Sequence, residues 1–429
     1  MSLHDAVGAK LFGAGSPLEL SEEEIGWRDG VGAPHQAGVR HKVFPRLAQN
    51  LADWYQLPAA RGFLEREFLV LDGQRLTFGE TLSQAAAVGA WLVQSCGVRR
   101  GDRVGICMRN CPEYCIAFIA ATSVGACCVP LNSLWTQKEL EYGLENSGTT
   151  VLFCDTERLK LAVASLGALP GLRRLVAVQH PARDLVGEGG GLVQHWDEVL
   201  SSHAGRVMPT FPCHKDDNAV LMYTSGTTGF PKGVVLTHRG ITHALNAAVA
   251  HGALEKAVAA VRAGKSPASA LAPSEEDKAQ QVTLLAVPLF HATGLHAVFL
   301  VSFIVGRKIV FMHKWAPERA LQLIEQEKVT SFTGVPTRVL TMLEHPNRTK
   351  YDPRALQSMG GGGAPPPPSM VREVGSKFKA APTQGFGMTE TNAIVCRELC
   401  LASARWLELP WQVTELTPHT RRLSFRVAR

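Results

Sequence analysis

At 429 residues, with 45% hydrophobic and 19% charged residues, the chain is long enough for two or three domains and too apolar to be disordered. Its 44 basic and 38 acidic residues leave a net charge of +6 with no basic run, which argues against a nucleic-acid partner. The N-terminus, MSLHDAVGAKLFGAGSPLELSEEE, has no apolar core before a cleavage site and does not read as a signal peptide.

From Arg103 onward, short apolar runs alternate with helical patterns. RVGICM and ACCVPL read as strands flanking the apolar helix PEYCIAFIAATSVG. Thr136 three residues before Glu139 forms a capping box for the helix TQKELEYGLENSG. The strand TVLFC, the helix ERLKLAVASLGA and the strand RRLVAV follow. A second series runs through AVLMYT, VTLLAVPLF, KIVFM, VTSFTGV and TQGFG. This alternation predicts an α/β fold of parallel βαβ units in doubly wound sheets. The most apolar stretch, LHAVFLVSFIVG from Leu295 to Gly306, is too short for a membrane span and reads as a buried helix.

The polar, proline-punctuated segment from His203 to Asp217 is the best boundary. It divides an N-terminal α/β subdomain (1–202) from a second α/β subdomain (203–392). Within the second, Gly252 to Gln281 reads as an insertion that begins as an Ala-rich helix. The ten cysteines contain no CxxC and no zinc-like spacing, so they read as reduced, packing thiols. That fits an intracellular protein, cytoplasmic by default.

One stretch carries chemistry. YTSGTTGFPKG, Tyr223 to Gly233, follows a strand with glycines and hydroxyls that can turn backbone N–H groups toward an anion. Thr224, Ser225, Thr227 and Thr228 add hydroxyls, Gly226 and Gly229 allow close approach, and Lys232 adds charge. Pro231 before the lysine, with no Ser or Thr after it, breaks the Walker A pattern and argues against a P-loop ATPase or kinase.

TSGTTGFPKG resembles the phosphate loop of the adenylate-forming (AMP-binding) superfamily, which includes acyl-CoA synthetases, aryl-CoA ligases and luciferases. Similar companions occur in order: SVGACCVPLN, PLFHATGL, GGAP and GFGMTE, over roughly Leu76 to Asn392. The resemblance implies the large N-terminal domain of that fold, built of two βαβ-type subdomains. It also implies ATP, Mg²⁺ and coenzyme A as reactants and cofactors. Thr224, Ser225, Gly226, Thr227, Thr228, Gly229 and Lys232 would hold the β- and γ-phosphates. Gly362, Gly363, Ala364 and Pro365 would lie along the adenine, with Phe386 and Gly387 beside it. Phe386 replaces the family's tyrosine and keeps its aromatic face. Thr389 would bind the α-phosphate, Glu390 would ligate Mg²⁺, and His291 would stand between the carboxylate and the thiol channel. His296, His238 and His243 read as packing residues.

The implied reaction is attack of a carboxylate on the α-phosphorus of ATP, followed by displacement of AMP by the coenzyme A thiol. The full pattern looks most like medium- or long-chain fatty-acid ligases. A 4-coumarate-type aryl acid and a non-catalytic ATP- or acyl-binding remnant are the alternatives. Oligomeric state is not encoded legibly. After Asn392 the family's Thr-Gly-Asp, its hinge glycine and its C-terminal lysine have no counterpart, since the last glycine is Gly387 and the last lysine Lys379. The expectation is therefore a chain truncated after the Gly-x-Thr-Glu motif and impaired in adenylation. Residues 393–429 read as an aberrant tail without strand–turn grammar, and the C-terminal small domain is missing.

Overall fold

Parallel strands cannot be joined by tight turns, so each apolar run needs a helical crossover to reach its neighbour. A computed structural model shows that layout. It describes residues 7, 11–12, 16, 18–24, 40–179, 191–225, 229–267 and 279–398.

Two large sheets form. The first runs, in spatial order, Lys232–Thr237, Asn218–Thr224, Cys127–Pro130, Arg103–Cys107, Thr149–Asp155, Arg174–Val178 and Val193–His195. All its neighbours are parallel except the first pair. The second runs Ala393–Glu398, Ala381–Met388, Ser358–Gly361, Ser331–Thr333, Val282–Leu285, Lys308–Val310, Glu67–Leu71 and Gln74–Thr77. It is parallel through its six inner strands, with an antiparallel partner at each edge. The α/β reading of the sequence holds, including the capping box: Glu139 accepts from the Thr136 N–H at 2.8 Å, and Thr136 Oγ1 accepts from the Glu139 N–H at 3.4 Å.

Chain order and sheet membership differ. Asn218–Thr224 pairs with Cys127–Pro130, so the first sheet takes strands from both sides of the 202/203 division. Glu67–Leu71, from the N-terminal part, pairs with Lys308–Val310 in the second sheet. Local periodicity marks strands but carries no information about which distant strand supplies the hydrogen-bonding partner.

The tail differs from its expectation at its start. Ala393–Glu398 is an antiparallel edge strand on Ala381–Met388. Its AIVC run supplies β-formers, and an edge needs only one partner. Residues 399–429, with Trp406 and Trp411, lie outside the described residues. The Ala-rich helix of the insertion is the second half of one helix, His238–Arg262, and the SPASALAPSEED loop falls largely outside the described residues.

Residues of both sheets meet in one large core, and each sheet carries a further apolar cluster of its own. Every residue of the helix Pro112–Ser123 is buried, as an apolar helix with no polar face requires. Beside it the Leu295–Gly306 stretch is a buried helix as expected, with π geometry over Thr293–Leu300 and α geometry over Val301–Val305. Phe68, Phe78, Phe299 and Phe303 interlock there, with Phe68 stacked on Phe78 at 3.9 Å and set edge-on to Phe303 at 5.1 Å. Six cysteines, Cys107, Cys111, Cys115, Cys127, Cys128 and Cys154, are free and buried, and burial pushes all their thiols up. Among the described residues no helix is long and apolar enough to cross a membrane.

Candidate functional site

Most sequence-selected residues lie at or just after the carboxyl end of a strand, the edge at which open α/β sheets bind ligands, while Lys232 opens the strand Lys232–Thr237. Asn218–Thr224 leads into the phosphate loop and Val282–Leu285 into His291. Ser358–Gly361 leads into Gly362 to Pro365, and Ala381–Met388 into Thr389 and Glu390.

The phosphate loop returns into a strand rather than a helix. Thr224 pairs with Lys232 across an antiparallel ladder, and Thr224 Oγ1 donates to the Lys232 carbonyl at 3.4 Å. The loop is therefore followed by a strand and not by a helix N-terminus. Its donors are backbone N–H groups, hydroxyls and the exposed Lys232 ammonium. Ser225 is exposed and Gly229 has φ 113°, which favours glycine; Gly226, Thr227 and Thr228 lie outside the described residues.

The helix Gln137–Ser147 buttresses both ends of this hairpin. Tyr223 Oη donates to Asn146 Oδ1 at 2.7 Å, and burial raises its pKa to about 12. Trp135 meets the Tyr223 ring edge-on at 5.4 Å. Phe230, 59% exposed, stacks on Tyr142 at 4.5 Å. None of these contacts was legible beforehand, because they join residues about eighty apart.

Thr389–Thr391 forms a single 3₁₀ turn closed by the Asn392 N–H on the Thr389 carbonyl at 3.0 Å. Thr391 pins it: its hydroxyl accepts from the Met388 N–H at 3.2 Å and donates to the Met388 carbonyl at 3.0 Å. Glu390 is exposed, and the turn packs on the Lys232–Thr237 strand. Thr389 and Glu390 thus come together with the strand that carries Lys232, across the seam between the two sheets. Phe386 is 52% exposed beside a bulge at Phe386/Gly387, leaving its face open.

The glycines near Pro365 have a structural cause. A Cβ at Gly360 would lie 1.9 Å from the Thr383 carbonyl oxygen, and one at Gly361 2.2 Å from that of Gly334. Gly362 is crowded by the Gly385 oxygen at 2.9 Å, whereas Gly363 has φ 93° in more open space. Gly334, Gly360, Ala364, Thr383 and Gln384 line a narrow crevice at these strand ends.

His291 is exposed, its ring 4.5 Å from Phe290, and desolvation by its surroundings lowers its pKa. Asn110, which sequence reasoning missed, clamps the approach to it. Its Nδ2 donates to the Val287 carbonyl and its Oδ1 accepts from the Leu289 N–H, both at 2.8 Å. A Cβ at Gly294 would sit 2.3 Å from the Pro288 oxygen, so the PLFHATGL turn needs glycine there.

The other histidines pack. His238 is buried, accepts from the Leu51 N–H at 3.2 Å on Nδ1 and faces Cys213 Sγ at 3.1 Å on Nε2. Burial lowers it to about 4. His243 lies against Phe44 at 5.4 Å.

Among the described residues no cluster of three His, Cys, Asp or Glu could hold a metal by itself. Glu390 is an exposed carboxylate on the turn that packs against the Lys232–Thr237 strand.

By its architecture this is a two-sheet α/β protein of the adenylate-forming kind. The profile of the family described as AMP-binding enzyme matches residues 58–419, so the match passes beyond Asn392, where the quoted motifs stop. The chain belongs to that family. It is 31% identical over 347 residues to 4-coumarate-CoA ligase 1 of Narcissus pseudonarcissus, covering 80% of this chain and 57% of that protein. It is 27% identical to a long-chain-fatty-acid–CoA ligase of Bacillus subtilis (strain 168), covering 84% and 62%. It is 33% identical to a feruloyl-CoA synthase of an Amycolatopsis species, covering 74% and 55%. The chain therefore spans less than two thirds of the length of these relatives. Similar folds include the N-terminal domain of FACL13 from Mycobacterium tuberculosis (TM-score 0.65, 24% identity, 80% of this chain and 77% of that one). Another is the anthranilate CoA ligase AuaEII in complex with anthranoyl-AMP (TM-score 0.68, 22% identity, 81% and 61%).

Proposed function

We propose that this chain carries the nucleotide and acid sites of an acid–thiol ligase, which activates a carboxylic acid with ATP as an acyl-adenylate and passes the acyl group to coenzyme A. The observation that carries this reading is the meeting of the Thr389–Glu390 turn with the Lys232–Thr237 strand. The reading supposes that the carboxylate of Glu390, the loop hydroxyls and the Lys232 ammonium would act together on a triphosphate bound there.

A carboxylate repels nucleophiles and has no good leaving group, so the first step must replace an oxygen with a phosphate ester. Lys232, the hydroxyls of Thr224, Ser225, Thr227 and Thr228, and the amides of Gly226 and Gly229 would hold the departing phosphates. They act by positioning and electrostatics. Thr389 would hold the α-phosphate. Gly362 to Pro365, with Phe386 and Gly387, would take the adenine. Mg²⁺, when bound, neutralises phosphate charge, and Glu390 is the residue that would hold it. His291, whose pKa desolvation lowers, would stand where the acid and the thiol meet.

The substrate class is an apolar monocarboxylate, with medium- or long-chain fatty acids first, since the segment after His291 is a largely apolar helix. Aryl acids are the second reading, favoured by the relatives named for 4-coumarate and ferulate. The test is ATP–pyrophosphate exchange with octanoate, palmitate or 4-coumarate. Exchange that needs a carboxylate and is lost in Lys232→Ala supports the ligase. ATP binding without exchange under any acid would make the chain a binding protein instead.

A further inference from the structure

Three segments with proposed roles converge on one buried polar spot. His296 lies on the π-helical segment that begins just after His291, is 1% exposed, and has neither ring nitrogen hydrogen-bonded. Asn392 closes the Thr389–Thr391 turn with φ 58°, a conformation that side-chain-bearing residues adopt at a cost. Its Oδ1 is also buried without a partner. The third segment is the start of the helix His238–Arg262, directly after the strand that carries Lys232. There a Cβ on Gly240 would stand 3.1 Å from Asn392 Nδ2 and 3.3 Å from Thr237 Oγ1. The strand Ala393–Glu398, directly after Asn392, packs on the helical segment that carries His296, and burial lowers the His296 pKa to about 4.

An apolar residue at 296 would fill this space without leaving polar atoms unpaired. A histidine there costs stability unless its polarity does something. π-Helical insertions recur where a side chain must be aimed.

We propose that His296 and Asn392 are a positioning pair that fixes the Thr389–Glu390 turn against the His291 helix, so that the acid and nucleotide sites keep one register. The Gly240 end of the long helix completes the joint and ties it to the phosphate hairpin. The functional part rests on the ligase reading above; the joint itself does not.

The roles separate because stability and positioning move in opposite directions. His296→Leu is expected to keep or raise the melting temperature while amide hydrogen exchange across Thr389–Asn392 speeds up about tenfold. ATP–pyrophosphate exchange should then fall about tenfold in kcat, with His296→Asn restoring much of it. Asn392→Ala should reproduce the loss, and the double variant should be no worse than either single. Unchanged amide exchange at the turn in His296→Leu, or additive effects of the two substitutions, would overturn the proposal. If His296→Leu fails to fold, the same exchange readout on His296→Asn and Asn392→Ala decides. If the wild-type chain shows no pyrophosphate exchange, the ligase reading falls, and the amide exchange still decides whether the joint exists.

Discussion

The ring of Phe230 lies stacked on that of Tyr142, centroids 4.5 Å apart and planes 28° from parallel, so the phosphate hairpin rests on a helix of the first sheet. An aromatic pair of this kind contributes about 0.5–1.5 kcal/mol beyond area burial. Phe230→Ala and Tyr142→Ala should therefore each weaken ATP binding roughly three- to tenfold, and the double variant should be little worse than either. Calorimetric titration with ATP checks this. Wild-type affinity in both variants would show that the stack does not support the loop.

Asn110 bonds two backbone groups of the segment leading to His291. Asn110→Ala leaves the Val287 carbonyl and the Leu289 N–H without those partners, a loss of about 1–3 kcal/mol. The expected kinetic effect is a rise in carboxylate KM with ATP KM little changed. Equal rises in both would place the effect elsewhere.

Two glycines should respond with opposite sign. Gly360→Ala drives a Cβ into the Thr383 backbone oxygen, which cannot rotate away, and should destabilise by about 3 kcal/mol. Gly252 is exposed inside the helix His238–Arg262 with nothing within 4 Å of a new Cβ, and Gly252→Ala should stabilise by about 0.5–1 kcal/mol. Urea unfolding of both variants settles it, and a stable Gly360→Ala protein would contradict the strand spacing described.

His238 and His296 are held near pKa 4 by burial, and His291 is shifted the same way. Unfolded histidine titrates near 6.5, so between these values the unfolded chain binds protons that the folded chain does not. Stability should therefore fall as pH drops from 6.5 toward 4, by about 1.4 kcal/mol per pH unit for each fully shifted histidine. Urea midpoints across that range read the slope, and His238→Gln should reduce it. An unchanged slope would mean that His238 is charged in the folded state.

The candidate site could be proposed from the sequence because its residues cluster in short motifs. Tyr223 to Gly233, GFGMTE and PLFHATGL each hold their glycines, hydroxyls and charges within about ten residues, and local pattern reading works on that scale. Asn110, Tyr142 and Asn146 carry no such mark. Each is an ordinary surface-type residue until folding brings another segment against it.

The sequence by itself determined the α/β alternation, the Thr136–Glu139 capping box, the buried helix around Leu295 and the family. The first three follow from spacing along one stretch of chain, and the family from the resemblance of its motifs. Only the tertiary structure decided that Asn218–Thr224 joins the first sheet and Glu67–Leu71 the second. It also decided that Ala393–Glu398 pairs at an edge and packs on the helical segment of His296, and that Asn392 lies against Gly240. The physical reason is that backbone hydrogen bonds between strands and contacts between buried side chains link residues far apart in sequence. Their partners are chosen by how the whole core packs, and no local pattern encodes that choice.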